Sequence, residues 1–252
     1  MALVERIAHG AIHELRLARP PVNALDPALC GELAEAIDAA VQAGAYGLVL
    51  SGGPKVFSAG LDVPRLAALG DDRAALTAAW EVFFQAARAL ARSPVPVVAA
   101  IGGHAPAGGC VLALCCDYRV MAEGPFRIGL NETQVGLVAP EGIQYLLRRV
   151  VGAHRAERLL VAGELVESDR ALALGLVDEL ADVEGVAIRA RAWLEELLAL
   201  PRQPMLETRA IARADLIAAL EPGRIRLEHF IAGWYSADTQ AALRALLARL
   251  GK

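Results

Sequence analysis

Apolar and polar residues alternate over residues 3–8 and again over 11–17, the two-residue period of half-buried strands, and His9-Gly10 supplies the turn between them. The spacing then lengthens. Leu29, Leu33, Ile37 and Val41 recur every four residues between the start signal Asp26-Pro27 and the stop signal Gly44, which predicts a helix. Short valine-rich apolar runs at 46–50 and 95–101 read as buried strands, and an alanine-rich helical stretch that includes Trp80 and Ala91 lies between them. Alternation of this kind predicts an α/β core with crossover connections.

A further strand is expected at 118–121. Beyond it the three-to-four residue period dominates, predicting helices over 141–150, 154–162, 168–174, 183–200, 205–220 and 238–250. The interruption from Pro201 to Pro204 divides the chain into an expected core, 1–200, and a helical C-terminal segment, 201–252.

With 252 residues and 56% hydrophobic content the chain can bury a sizeable core. The net charge of -4, with lysine only at Lys55 and Lys252, leaves no basic block, so nucleic acid is not an expected partner. An anionic ligand would have to be met by scattered arginines such as Arg19 or by helix-start N–H groups. Cys30, Cys110, Cys115 and Cys116 form no metal-type pair and no secreted disulfide pattern, so they are expected as buried, reduced thiols. Neither a basic leader nor an apolar run of membrane-spanning length is present, which predicts a cytoplasmic chain with no membrane partner.

Three segments carry candidate chemistry. The first, Phe57-Ser58-Ala59-Gly60-Leu61-Asp62, is built of small residues that let a ligand approach the backbone, and Ser58 lacks the preceding glycine of a nucleophile elbow. The second, from Ile101 to Cys110, runs from a strand into a helix through glycine and alanine, so helix-start N–H groups can face developing negative charge. Its spacing is neither a dinucleotide fingerprint nor a phosphate-binding loop. The third places Glu132 among Leu130, Asn131, Thr133 and Val135, where desolvation would raise a carboxylate toward the range of a working base. The five histidines show no metal-ligand spacing, and no metal site is expected.

Together the motifs Phe57 to Asp62, Pro106 to Cys110, Cys116 to Arg119 and Gly129 to Gln134 resemble the crotonase family, the enoyl-CoA hydratases and isomerases, and most resemble its isomerases. The resemblance implies a crotonase-like ββα spiral core with a C-terminal helical trimerisation segment, assembled as a homotrimer or a dimer of trimers, in which Phe230 and Trp234 are candidate interface aromatics. It implies an acyl-CoA thioester substrate and no separate cofactor. Carried over by motif, Leu61 and Gly108 donate N–H groups to the thioester oxygen, Ala59, Gly60, Asp62 and Val63 line the thioester path, and Asn131 lies beside the acyl group. Family hydratases carry two glutamates; here the corresponding positions hold Val111 and Glu132. A single acid can move a proton between two carbons, whereas hydration calls for a second group to hold water. The expected activity is therefore a shift of a 3-enoyl-CoA double bond to 2-trans-enoyl-CoA in β-oxidation, with hydration, another reaction of the family, or acyl-CoA binding without turnover as alternatives.

Overall fold

The computed structural model describes residues 2–251. Strands β1 (Val4–His9) and β2 (Ile12–Leu17) pair antiparallel about the His9-Gly10 turn, as their alternation predicts. Helix α1 (Pro27–Gln42) follows, its first turn capped by the Asp26 carboxylate, which accepts from the Leu29 N–H at 2.9 Å.

Strands β3 (Gly47–Ser51) and β4 (Val97–Ile101) are buried along their whole length, because helices cover the sheet that they centre. Between them run the short helix α2 (Val63–Ala67) and the long helix α3 (Arg73–Arg92). The apolar stripe of α3, Leu76, Trp80, Phe83, Phe84 and Leu90, is buried, each such side chain contributing about 1.5–3 kcal/mol relative to exposure.

Strand β5 (Ala105–Pro106) leads into helix α4 (Gly108–Leu114), then β6 (Tyr118–Ala122) and β7 (Arg127–Gly129). Helices α5 (Glu141–Val151) and α6 (Ala153–Ala162), strand β8 (Val166–Glu167), helix α7 (Ser168–Leu174), strand β9 (Glu179–Ala181) and helix α8 (Val186–Leu198) complete this part. The main sheet has the order β1-β2-β3-β4-β6-β9, parallel from β2 onward; β5, β7 and β8 form a second, three-stranded sheet. These three short strands carry too few residues to show a period, and the sequence pattern does not reveal them.

The helix expected over 205–220 is two helices, α9 (Arg202–Ala212) and α10 (Ala214–Ala219). The break falls at Arg213, whose guanidinium turns inward to Asp117, to the Cys115 carbonyl and to that of Ala91. Pro204 lies inside the first turn of α9, where its missing N–H leaves no bond unmade, so only Pro201 marks the interruption. Helices α11 (Pro222–Ile225) and α12 (Leu227–Trp234), with no counterpart in the sequence reading, precede α13 (Ala237–Arg249).

Asp117 anchors these later helices. It accepts from Arg209 at 2.7 and 2.9 Å, from Arg213 at 3.0 Å and from the Val97 N–H at 2.8 Å, tying α9 and α10 to the edge of β4. Phe230 and Trp234 are buried within the chain, packed around Trp80 with ring centroids 4.4 and 6.4 Å away. All four cysteines are buried and unbonded, and burial pushes the Cys30 and Cys115 thiols up to about 12. No helix among the described residues is long and apolar enough to cross a membrane.

Candidate active site

A cavity of about 600 Å³ gathers the candidate segments. Ala59, Leu61, Asp62, Val63, Gly108, Asn131 and Glu132 all line it. Gly60 lies behind this surface. At φ +81° a Cβ there would come within 3.2 Å of the Ala107 Cβ, the Gly108 nitrogen and the Pro106 carbonyl, so glycine lets the first and second segments touch.

That contact fixes two N–H groups. Leu61 bridges Leu25 in parallel register, and the bridge uses the Gly60 carbonyl and the Asp62 N–H, leaving the Leu61 N–H on the other side. Gly108 is the first residue of α4, and Ala107 before it offers no side-chain cap. Neither N–H has an acceptor among the described residues. Ala107 itself holds φ +46° and ψ -117°, a strained conformation for a residue with a Cβ, maintained by its own N–H bond to the Gly129 carbonyl at 2.8 Å. Strain at this turn aims the start of α4. Two unpaired, fixed N–H groups on one cavity wall are the arrangement that stabilises charge developing on a carbonyl oxygen.

Glu132 opens a single turn of 3-10 helix, Glu132–Val135. The turn is held from two sides. Thr133 Oγ1 donates to the Leu160 carbonyl of α6 at 3.2 Å, and Thr239 Oγ1 of α13 donates to the Gly136 carbonyl at 2.6 Å. Gly136, at φ +75°, closes the turn so near α13 that a Cβ would lie 2.6 Å from that of Ala242. The side chain is partly accessible as a whole, yet Oε2 is sealed from solvent and has no hydrogen-bond partner; Asn131 Oδ1 is in the same condition. Burial pushes the Glu132 carboxyl up to about 7, offset in part by a bond from its own backbone N–H. Near neutral pH such a group can both accept and return a proton.

The other carboxylate on the cavity wall is Asp62. It is occupied: Arg19 Nη2 stands 2.8 Å away, and the Arg65 N–H bonds to it at 3.2 Å as the cap of α2. Arg19, a candidate for anion binding, also donates to the Ala24 carbonyl at 2.9 Å and is thereby committed within the chain. Ser58 Oγ donates to the Asn23 carbonyl at 2.8 Å and accepts from the Gly60 N–H, so it is a turn residue and not a nucleophile. His104 Nδ1 accepts from the Arg127 N–H at 3.1 Å and is likewise structural.

The sequence reading did not find the apolar depth of the cavity. Trp80, Phe83 and Phe84 of α3, Leu137 and Ile143 supply it, while exposed Pro20, Pro21 and Leu250 form its rim. The aromatic cluster of α3 at three- and four-residue spacing was the available signal, and it is indistinguishable from an ordinary core stripe. Val111, buried at 1% exposure, also lines the cavity and presents no polar atom.

A mixed α/β fold with two N–H donors and one desolvated carboxylate on an apolar cavity defines a class of proteins equipped to stabilise an enolate-type oxygen. The chain belongs to the enoyl-CoA hydratase/isomerase family, whose sequence model matches residues 8–229. It is 33% identical over 252 residues to human mitochondrial enoyl-CoA delta isomerase 1, covering 98% of this chain and 83% of that protein. A probable enoyl-CoA hydratase of Mycolicibacterium paratuberculosis is 35% identical over 227 residues, 87% of this chain and 86% of that one. The crystal structure of human mitochondrial delta3-delta2-enoyl-CoA isomerase superposes with a TM-score of 0.92 at 31% identity, covering 99% of this chain and 98% of that chain. The crotonase-type core expected from the motifs is therefore the fold observed.

Proposed function

We propose that this protein is an enoyl-CoA isomerase that converts a 3-enoyl-CoA to the 2-trans-enoyl-CoA within fatty acid β-oxidation. The observation that carries this reading is the solitary uncommitted carboxylate: Glu132 Oε2 has no hydrogen-bond partner, Asp62 is bound by Arg19, and position 111 is valine.

In the proposed reaction the thioester oxygen lies between the Leu61 and Gly108 N–H groups. Glu132 removes a proton from the α carbon, and the electron pair spreads into a dienolate whose negative charge rests on that oxygen and on the γ carbon. The protonated Glu132 then returns the proton to the γ carbon, so the double bond moves from C3–C4 to C2–C3 with no net gain or loss of atoms. Asn131 and the segment from Ala59 to Val63 position the acyl thioester. The chemistry calls on no metal or redox cofactor; coenzyme A is part of the substrate. We place the enzyme in the cytoplasm as a homotrimer or dimer of trimers, an assembly to be measured by light scattering.

The deciding assay follows the conversion of a 3-enoyl-CoA by the ultraviolet absorbance of the conjugated enoyl thioester, with the Glu132→Gln protein. Loss of about three or more orders of magnitude in kcat is expected for removal of the only proton carrier. A variant turning over at the parent rate sinks the reading. The similarity to a probable hydratase keeps hydration as the second reading. It requires crotonyl-CoA to be hydrated faster than 3-enoyl-CoA is isomerised by the parent protein.

A further inference from the structure

The apolar depth of the active-site cavity ends at a partition. A second cavity, of about 360 Å³, lies beside the first, and the two share Leu137, Pro140 and Phe230 as lining residues. Phe230 is the largest of the three. Its ring is buried, with 7% of the residue exposed, and meets the Trp80 ring at 4.4 Å and 68°, so the pair forms a closed aromatic corner. The second cavity is lined by Ile225, Gly233 and Trp234 together with the polar Gln144, His229 and Thr239.

We propose that Phe230 sets the length of acyl chain that the site accepts, standing as an end wall between the acyl cavity and a second volume of mixed lining that the parent protein does not use for substrate. This rests on the acyl-CoA reading given above but not on which reaction follows binding. The wall comes from α12, outside the sheet-and-helix elements that carry Leu61, Gly108 and Glu132. Acyl length can thus change without moving the reacting groups. Each methylene that a cavity fully buries strengthens binding about fourfold. Affinity should therefore climb with chain length and then level where the chain meets the Phe230 ring.

The test measures, by titration calorimetry, the dissociation constants of saturated acyl-CoAs from four to sixteen carbons. It compares the parent with Phe230→Ala, Phe230→Leu and the double variant Phe230→Ala/Gly233→Leu. Gly233 lines the second cavity at an exposed position where a Cβ meets no atom within 4 Å, so a leucine there clashes with nothing and adds bulk at the mouth of that cavity. Phe230→Ala should move the levelling point outward by roughly two to four carbons, Phe230→Leu by less, and the double variant should restore the parent profile. Should Phe230→Ala fail to fold, Phe230→Leu against Phe230→Leu/Gly233→Leu decides the matter. An unchanged levelling point in the truncated proteins overturns the wall, as does an outward shift that survives the Gly233→Leu substitution. Failure of the parent to bind acyl-CoA of any length overturns the acyl-CoA reading itself, and the two failures are thereby told apart.

Discussion

Arg19 holds the Asp62 carboxylate through an Nη2 to Oδ2 contact of 2.8 Å, and this pair takes the second acid of the cavity out of proton chemistry. Asp62→Asn keeps an acceptor for the Arg65 N–H, so α2 stays capped while the charge is lost. Isomerase activity should fall by less than about tenfold, against three or more orders of magnitude for Glu132→Gln. Steady-state kinetics on the two variants checks this, and equal losses would assign Asp62 a chemical role.

The pH profile follows from the raised carboxyl. Glu132 must be ionised to accept a proton, and burial raises its carboxyl to about 7. For the free enzyme kcat/KM should rise with pH through about 7 and level above it, instead of levelling below pH 5 as an exposed glutamate would give. A profile flat from pH 5 to 8 contradicts the assignment.

The same burial has a stability consequence. A carboxyl whose folded pKa lies above its unfolded value binds more protons in the native state, so stability is greatest below about pH 4.5 for this group and declines until about pH 7. Above that, the ionised Glu132 lowers stability by on the order of 1–3 kcal/mol. Glu132→Gln should therefore melt higher than the parent at pH 8 while being inactive. Equal melting temperatures at pH 8 would show that the site accommodates the charge at no cost.

Backbone placement, not side-chain identity, should govern the first motif. Gly60→Ala forces a Cβ to 3.2 Å from the Gly108 nitrogen at a φ of +81°. Displacing one donor of this kind costs about two to three orders of magnitude in kcat. Leu61→Ala keeps its N–H and should lose only a few fold. Comparable losses in both variants would argue against the N–H assignment.

Asp117 is predicted to matter for stability and not for turnover. Removing it leaves Arg209 and the buried Arg213 without their shared partner, and breaking such a pair costs about 3–5 kcal/mol. Denaturant unfolding of Asp117→Ala should show this loss, with kcat per folded molecule near the parent value.

The sequence made the regular elements legible where length let a period develop. The opening hairpin, α1, β3, β4 and the outline of α3 follow from two- and four-residue spacing, and Asp26, Gly10 and Gly44 punctuate them as their chemistry demands. What escaped were contacts between distant segments. Strands of two or three residues, such as β5 and β8, exist only because a partner pairs with them. The break at Arg213 comes from its reach to Asp117, 96 positions away. In the site, Glu132 stands out locally as a lone acid among apolar residues, whereas Leu61 and Gly108 are named by the resemblance of their motifs to the crotonase family. The depth of the cavity did not stand out, since Trp80, Phe83, Phe84 and Phe230 carry the same signature as any packed interior.

The sealed thiols give the molecule a built-in clock. Cys30, Cys110, Cys115 and Cys116 are at most 2% exposed, and alkylating reagents attack the thiolate. With burial also holding Cys30 and Cys115 protonated, each alkylation event has to wait for the interior to open. The labelling rate in native buffer thus counts openings of the folded chain, and any ligand that tightens the interior will slow the count.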